Sequence, residues 1–583
     1  MAANFFLELL KDVMSSALQE ELRPQSELPK EAEPEIPHKF LSLKDDVAKI
    51  RFCLDKKKIP KHSEVFKPKN NSKSAQARAK GNELYKNGDF VEAFQMVNLS
   101  QLICLPSIFS KRKMGYANRS AVFFKCGFYK FCLDNIQLAY DNNYPEELRE
   151  KLETRRLDCI KMLEKGVDSE EKYEKERIPL KLSHPADKNI PMMIKGLELA
   201  QNEQYGRFVR TNRDLNPGDI LLIENAFTST PMPEKQFHLC DNCLDDKSLN
   251  LLPCEKCTGV MFCSKKCQLE AEKRFHKYEC PIIDALSPLT YSASAKPATV
   301  ATRAALKSLT MFENFEDLQK LVAEIGNKNE VFNVDYKNLS EEQYFRALFS
   351  IPTNISRNSR VSFDIANCCA EIWILLSHFT DLPKILDSRE KQDFFLKLLY
   401  RLFYVTPTIL GQENLYGNGI FGLSEMINHS CAPNIYRIFN QGTSAVVAIQ
   451  SIKAGEQIFD CYHSSLNHLF EHLEVRQETL RTVHFFECKC EACTKNYPMQ
   501  LDLMGRGDMR FYRKQTQDYE ECAENDEIDV KNAKMKLVEY KRLLKKYEKN
   551  RPSSDLMLCQ AFVTHVTARL VFGRDICQKL KAV

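Results

Sequence analysis

Apolar residues change their spacing several times along the chain, and each change predicts a different kind of element. Short apolar runs at 208–211 and 220–223 flank Asn216-Pro217-Gly218-Asp219, which predicts a β-hairpin. The same arrangement returns at 445–462, around the turn Lys453-Ala454-Gly455-Glu456. Residues 281–410 are mainly helical in composition. The pattern therefore predicts a β-protein that is interrupted by other elements.

The chain after residue 494 is predicted to be helical to its end. One apolar stripe follows the 4-3-4-3 spacing of a helix face, and it consists of Ala533, Leu537, Tyr540, Leu544 and Tyr547. The segment from Arg551 to Asp555 breaks this helix and caps the next one. We interpret this region as a packing hairpin rather than a ligand site.

An internal repeat lies within residues 73–165. Gly88, Phe90 and Ala93 recur 39 positions later as Gly127, Tyr129 and Cys132. A small residue where two helices cross and an aromatic residue in the groove are typical of helix–turn–helix units. The pattern resembles tetratricopeptide repeats, which bind peptides or pack between domains.

Composition and charge exclude several classes of function. The net charge of +4 over 583 residues gives no electrostatic reason to expect a nucleic-acid partner. We see no secretory signal and no run of eighteen apolar residues, so no membrane contact is expected. The 22 cysteines are expected to stay reduced, in a protein of the cytoplasm and nucleus. Scattered cysteines such as Cys53, Cys159 and Cys577 are predicted to be small buried hydrophobes.

Residues 240–280 have the spacing of a double zinc finger, C-x2-C-x10-C-x2-C-x5-C-x3-C-x8-H-x3-C. The eight candidate ligands are Cys240, Cys243, Cys254, Cys257, Cys263, Cys267, His276 and Cys280. Zinc takes four sulfur or nitrogen ligands in a tetrahedron, so eight ligands make two closed structural sites. A segment with so little core of its own needs the metal to fold.

This order of ligands resembles the MYND finger. The resemblance implies alternate pairing, with Cys240, Cys243, Cys263 and Cys267 on one ion and Cys254, Cys257, His276 and Cys280 on the other. Seven Lys/Arg and seven Asp/Glu in the segment argue against a phosphate-binding face. The resemblance instead implies contacts with regulatory proteins, including proline-containing peptides.

Three further segments carry candidate chemistry. They are Tyr205-Gly206-Arg207-Phe208, Asn428-His429-Ser430-Cys431, and a strand from Gly455-Glu456 to Tyr462 that is followed by Cys488, Cys490 and Cys493. In this order they resemble the SET domain of protein-lysine methyltransferases. A MYND finger inside the domain narrows the resemblance to the SET and MYND methyltransferases, in their longer subtype with tetratricopeptide-like repeats. The match spans about residues 75–493.

The resemblance implies a third zinc ion. The C-x-C-x2-C cluster of Cys488, Cys490 and Cys493 supplies only three thiolates, and a closed site needs four. In the family the fourth comes from the Asn-His-Ser-Cys motif, here Cys431. Cys461 is the alternative.

The resemblance also implies an S-adenosylmethionine site and roles for its residues. Asn428 and His429 are expected beside the cofactor, the backbone of Tyr205, Gly206 and Arg207 along it, and Phe486 near its adenine. Tyr462 is expected to supply the hydroxyl that orients the amine and the methyl group, as the catalytic residue. His484 stands where the family usually has a tyrosine that lines the lysine channel.

The predicted fold is a multidomain α+β protein, with a SET β-fold split by the finger and a helical insert. The segments are 1–72 helix and linker, 73–190 helical repeats, 195–239 first SET part, 240–280 finger, 281–410 helical insert, 411–480 second SET part, 481–493 post-SET motif and 494–583 C-terminal helices. The predicted function is methyl transfer to a lysine of histone or non-histone proteins in transcriptional or developmental regulation. The alternative is a weakly active or inactive adaptor that recruits proteins, and a DNA-binding factor is a third interpretation.

Overall fold

The structure is a computed structural model. It describes residues 36–106, 112–232, 235, 237–245, 249–291, 296–325, 330–351, 359–405, 417–440, 442–462, 467–504, 508–525 and 528–573. The predicted N-terminal helix, most of the Pro- and Glu-rich segment after it, and Cys577 lie outside these residues. Cys53 and Cys159 are fully buried, as predicted.

Residues 38–65, which the sequence predicts to be a linker, instead form three short helices on the body of the protein. They are α1 (His38–Leu41), α2 (Asp46–Leu54) and α3 (His62–Val65). Phe40, Ile50 and Val65 join the largest core cluster, and the Phe40 ring lies edge-on against Phe363. The linker prediction is wrong here because a few apolar residues, within a sequence rich in charged residues, are enough to anchor the segment to the core.

A layer of antiparallel helices follows. It consists of α4 (Asn71–Asn87), α5 (Phe90–Leu102), α6 (Arg112–Lys125), α7 (Tyr129–Asp141), α8 (Arg149–Glu164) and α9 (Ser169–Lys175). The recurring glycines Gly88 and Gly127 end α4 and α6 at φ values of 90° and 73°, which only glycine adopts freely. Gly81 lets α4 approach α5, since a Cβ there would lie 3.3 Å from Met96 and Val97.

The strands form several small sheets. Strand β1 (Leu197–Asn202) pairs with β2 (Gly206–Thr211), and β3 (Ile220–Asn225) pairs with β12 (Thr443–Ala448), which also pairs with β11 (Ile435–Asn440). Strand β4 (Thr228–Pro231) pairs with β9 (Gly417–Ile420), and the short strand β10 (Asn428–His429) runs parallel to β13 (Phe459–Asp460).

Neither predicted hairpin forms. The strand at 206–211 pairs with β1 rather than with β3, and the two turn segments pair with each other instead. The Thr211 N–H donates to Glu456 O, Leu215 N to Ile452 O, and Ile458 N to Val209 O, at 2.9, 2.8 and 2.9 Å. The two turns form where they are predicted, but strand pairing joins segments about 240 positions apart, as between Leu215 and Ile452.

The finger and the helical insert lie between β4 and β9. The finger contains β5 (Leu252–Pro253), β6 (Met261–Phe262), α10 (Lys265–Ala271), a π-helical turn (Glu272–His276) and α11 (Lys277–Glu279). After it come α12 (Ile283–Leu286), β7 (Thr290–Tyr291), β8 (Lys296–Pro297), α13 (Thr299–Leu309), α14 (Phe315–Ile325), α15 (Glu341–Phe349), α16 (Ser359–Phe379) and α17 (Arg389–Val405). Helices α12 to α17 lie within the segment 281–410, whose composition predicts helices.

The finger is held between two neighbours. On one side, α5 and α6 contact it: Asn98 Nδ2 donates to Phe237 O at 2.9 Å and Arg119 Nη1 to Leu251 O at 2.9 Å. On the other side, Arg303 of α13 lies 2.9 Å from the carboxylate of Asp241 and 2.8 Å from that of Glu279, and Arg303 Nη1 donates to Ser229 O of β4. All three side chains are buried. One guanidinium therefore joins both ends of the finger to the sheet.

The C-terminal part is helical, as predicted. It contains α18 (Leu473–Val483), α19 (Glu491–Thr494), α20 (Gln500–Met504), α21 (Met509–Tyr519), α22 (Val530–Tyr547) and α23 (Ser554–Phe572). The predicted stripe on α22 is buried at Ala533, Leu537, Tyr540 and Leu544, and Tyr540 stacks on Phe562 of α23. Ser553 caps α23 by accepting from Leu556 N. Among the described residues, none of the helices combines the length and apolar character needed to span a bilayer.

We predict that Arg303→Met lowers the free energy of unfolding by about 3–5 kcal/mol, because it leaves two carboxylates buried without their cation. Arg303→Lys should lose less, since it keeps the charge but not the forked geometry. Urea unfolding measures both. Lys320→Met on α14 is the control, because its side chain is 73% exposed and exposed ion pairs contribute about 0–1 kcal/mol. Equal losses for Arg303→Met and Lys320→Met would contradict the prediction.

Candidate functional site

Two groups of four side chains meet in the finger, each with its ligand atoms within 4.8 Å of one another. They are Cys240, Cys243, Cys263 and Cys267, and Cys254, Cys257, His276 and Cys280. In the first group, the Sγ atoms of Cys243, Cys263 and Cys267 are 3.5–3.7 Å apart. In the second, Cys254 Sγ lies 3.9 Å from Cys280 Sγ and 3.2 Å from His276 Nε2. A tetrahedral zinc ion places its thiolates about 3.8 Å apart, so the donor spacing fits zinc.

Local structure explains why these residues converge. Ser264 caps α10 by accepting from Cys267 N at 3.2 Å, which places Cys267 one turn after Cys263. The π-helical turn ends at His276 and brings its ring between the sulfurs of the second group. Hydrogen bonding from Cys240 lowers the pKa of Cys267 to about 6. The same network of hydrogen bonds raises the pKa of Cys240, so the thiols share protons that zinc would displace, since zinc binds the thiolate form.

A third group joins distant parts of the chain. It consists of Cys431, Cys488, Cys490 and Cys493. Cys431 Sγ lies 3.5 Å from Cys493 Sγ, and Cys431 N points at Cys490 Sγ, 3.4 Å away. The alternative, Cys461, is buried in the strand segment after β13 and does not belong to this group. The segment 488–493 is thus brought against the loop that follows β10.

Tyr462 lies directly beside the Asn428–His429 strand. Its backbone N donates to His429 Nδ1 at 2.9 Å, and its hydroxyl donates to Ile427 O at 3.1 Å. Burial raises the pKa of Tyr462 above its ordinary value of 10.0, so the hydroxyl stays protonated at neutral pH. Because the hydroxyl hydrogen is donated to Ile427 O, the lone pairs of the Tyr462 oxygen are available to accept a hydrogen bond from a ligand.

Asn428 connects this strand to the turn between β1 and β2. Its Nδ2 donates to Tyr205 O at 3.1 Å and to Gln457 Oε1 at 3.0 Å. Next to it, Gly206 has a φ of 62°, and a Cβ there would meet nothing within 4 Å. The Cα of Gly206 therefore faces open space on the side where a side chain would stand. The Arg207 side chain points elsewhere, donating to Ser350 O at 3.0 Å, and burial lowers the pKa of Arg207 to about 10.

Aromatic rings close the other side of Tyr462. The Phe486 ring lies 6.3 Å from the Tyr462 ring and 6.0 Å from the His429 ring. The His484 ring lies 5.0 Å from the Tyr462 ring. Between them, Phe485 has a φ of 63°, in the left-handed region that costs a non-glycine residue roughly 1–3 kcal/mol. Such strain is typical of residues at functional sites.

Contacts join five of the predicted cofactor residues. Asn428 donates to Tyr205 O, and the rings of His429, Tyr462 and Phe486 lie 5.2–6.3 Å from one another. Gly206 and Arg207 follow Tyr205 directly in the chain.

Sequence reasoning missed a buried carboxylate that supports this site from beneath. Glu224 on β3 accepts from the backbone N–H groups of Gly422, Leu423 and Ser424 at 2.9, 2.7 and 2.9 Å. It also accepts from Tyr344 Oη at 2.7 Å and Ser424 Oγ at 2.5 Å. The signal was a charged residue on the inward-facing side of the strand Ile220–Asn225.

A buried cation was missed as well. Arg437 on β11 lies 3.0 Å from Glu425 and 2.6 Å from Asp460, and all three side chains are less than 10% exposed. Glu425 precedes Asn428 by three positions, and Asp460 precedes Tyr462 by two. Burial raises the pKa of Glu425 to about 7. The positive charge of Arg437 opposes this rise, and the nearby carboxylate of Asp460 adds to it. An arginine within the apolar strand Ile435–Asn440 was the available signal.

Comparisons with known proteins agree with this geometry. The SET domain family matches residues 206–463. The protein-lysine N-methyltransferase SMYD4 of Danio rerio is 23% identical over 522 residues, which cover 74% of this chain and 67% of that protein. The human SMYD4 is 23% identical over 557 residues, covering 71% and 66%. The histone-lysine N-methyltransferase ASHR1 of Arabidopsis thaliana is 25% identical over 310 residues, covering 53% and 57%.

These comparisons confirm the resemblance that the motifs predicted. The chain contains a SET domain and is similar to SMYD4 proteins over most of its length. It spans about two thirds of the length of those relatives. The α+β class, with helices before and after the SET domain, is confirmed in its coarse form.

We predict that Glu425→Gln flattens the pH dependence of stability between pH 4.5 and 7. The folded pKa of about 7 lies above the ordinary 4.5, so the native state binds the extra proton and stability falls as pH rises through this window. In wild type this group should change the free energy of unfolding by up to about 3 kcal/mol across the window, and removing the carboxylate should remove that change. Urea unfolding from pH 4.5 to 8 measures it, with exposed Glu390→Gln as control. Parallel curves for Glu425→Gln and wild type would contradict the prediction.

Proposed function

We propose that this SET-domain chain, a SMYD4-like SET and MYND protein, transfers a methyl group from S-adenosylmethionine to a lysine side chain of other proteins. The observation that carries the proposal is the Tyr462 hydroxyl, which is fixed by Ile427 O beside Asn428, His429 and the open edge at Gly206. The names of the SMYD4 and ASHR1 relatives support the same class of reaction.

The chain's part in the reaction is to position a neutral amine. Free lysine has a pKa of about 10.4 and carries a proton at neutral pH, so the proton must leave to water before attack. Buried surroundings such as those of Tyr462 disfavour the ammonium form. The Tyr462 oxygen accepts an N–H of the amine, since its own hydrogen is given to Ile427 O. When bound, S-adenosylmethionine would supply a methyl group on a positively charged sulfur, and Tyr462 would hold the amine nitrogen in line with it.

His484 distinguishes this site from that of the family members that have tyrosine at its position. The ring contacts Tyr462 but brings an imidazole where a second phenol would stand. The number of methyl groups added and the activity are therefore expected to depend on this residue, while histone and non-histone substrates both remain candidates.

Zinc belongs to the same proposal. We expect three ions, two in the MYND finger and one on Cys431, Cys488, Cys490 and Cys493. Each group has four protein donors, which is typical of structural rather than catalytic zinc. The third ion would fasten the segment of His484 and Phe486 over Tyr462. Eleven thiols kept as zinc ligands need a reducing compartment, which supports a location in the cytoplasm and nucleus.

The finger and the helices before it are proposed as partner-binding modules. We propose that α4–α7 are two tetratricopeptide-like units. Since α5, α6 and α13 already contact the finger, a regulatory protein or proline-containing peptide would meet it at α10, where Leu269 is 59% exposed. The same modules would serve a non-catalytic adaptor, the alternative function.

We predict that the wild-type chain binds S-adenosylmethionine and that Tyr462→Phe reduces methyl transfer at least about 100-fold, since it removes the group that aligns the amine. Calorimetry should give a similar cofactor affinity for both, and radiolabelled transfer into cell extract measures activity. Tyr512→Phe on α21 is the matched control. No cofactor binding by zinc-loaded wild type would favour the adaptor, and unchanged transfer by Tyr462→Phe would refute the role of that residue.

We predict three zinc ions per chain by elemental analysis. Cys431→Ser should retain two, because it removes one of four ligands of the third group. Cys461→Ser is a sharp control that should retain three, since its thiol lies in the neighbouring strand segment rather than in the group. Loss of zinc from Cys461→Ser, with three ions kept by Cys431→Ser, would reverse the ligand assignment.

A further inference from the structure

The His429 imidazole is in contact with two parts of the site at once. Its Nδ1 accepts from the backbone N–H of Tyr462 at 2.9 Å, and its Nε2 lies 3.3 Å from Cys431 Sγ. The side chain is buried. One ring therefore lies between the tyrosine of the site and a cysteine of the third group.

The first contact fixes where the proton of the ring resides. A backbone N–H can only donate, so Nδ1 must be the unprotonated nitrogen. In a neutral imidazole the hydrogen then sits on Nε2, which faces the sulfur. The geometry thus makes His429 a donor toward Cys431.

The second contact matters most when Cys431 is a thiolate. A sulfur bound to zinc keeps lone pairs that accept a hydrogen bond, and such outer contacts orient the ligand and tune the metal. The backbone of Cys431 is also held in place, because His468 N donates to Cys431 O at 2.9 Å.

We infer that His429 is a positioning residue that couples the third zinc site to Tyr462. Its N–H···S hydrogen bond stabilises the Cys431 thiolate, and its Nδ1 holds the backbone of Tyr462. Zinc binding would thereby fix the place of the tyrosine, in addition to any contact between His429 and the cofactor. This inference rests on the proposed zinc at Cys431.

Two substitutions separate the two contacts. His429→Gln keeps a donor at the distance of Nε2 and loses the acceptor at Nδ1, whereas His429→Asn keeps an acceptor near Nδ1 and loses the donor. The full-length zinc-loaded chain is mixed with a chromophoric chelator, and zinc release is followed by absorbance. The two finger sites serve as internal references.

We expect His429→Asn to release one of its three zinc ions about 10–100-fold faster than wild type, as loss of an outer-sphere partner does elsewhere. His429→Gln should release it within about threefold of the wild-type rate. Equal rates for wild type and His429→Asn would overturn the inference while leaving the proposed function intact. A wild type without zinc in this group would overturn the inference together with the proposed third zinc, whereas the proposed methyl transfer is tested separately by cofactor binding.

A measurement on wild type keeps the test independent of the folding of His429→Asn. In selectively ¹⁵N-histidine-labelled, zinc-loaded protein, the signal absent from His429→Gln identifies His429. An unprotonated Nδ1 with a protonated Nε2 supports the inference. The opposite tautomer would overturn it.

Discussion

The buried carboxylate of Glu224 is the interaction on which the rest of the site depends. A carboxylate this deeply buried is stable only when its oxygens are satisfied, and five donors from Tyr344 and the 422–424 loop do so. Gly422 lies 198 positions after Glu224, with the finger and helices α13–α17 between them. The two halves of the SET domain can therefore meet in one register only, because any other would leave the charge unpaired.

Two buried arginines join distant segments in the same way, because each is paired with two buried carboxylates. Arg303 has Asp241 and Glu279 as partners, and Arg437 has Glu425 and Asp460. Buried ion pairs add little net stability, because desolvation offsets attraction, but removal of one partner is costly. These ion pairs instead fix the relative positions of the segments that they join. Arg303 fixes the finger to β4, and Arg437 fixes the segment before Asn428 to the strand that leads to Tyr462.

The sequence was sufficient wherever the governing interaction is local. Within the three candidate zinc groups, the C-x2-C, C-x3-C and C-x-C-x2-C spacings determine the local geometry, whereas the alternate pairing in the finger and the addition of Cys431 were implied by the family resemblance. The stripe on α22 was readable for the same reason. The hairpin predictions were wrong because the two turn segments pair with each other, at Leu215 and Ile452. This pairing needs the residues inserted between them to bring two distant parts of the chain together. Glu224 and Arg437 were missed since single charges within strands reveal no partner until the fold brings one.

Strain at Phe485 shows how the parts act together. A non-glycine residue in the left-handed region persists only when both flanks determine it. On one side helix α18 ends with His484 N bonded to Leu480 O, and on the other Cys488 belongs to the third ligand group. The strained turn aims His484 and Phe486 at Tyr462, while His429 and Ile427 hold Tyr462 from behind. The rings of His484 and Phe486 and the imidazole of His429 thus all adjoin the group of Cys431, Cys488, Cys490 and Cys493, so the position of Tyr462 depends on how these four cysteines are held together.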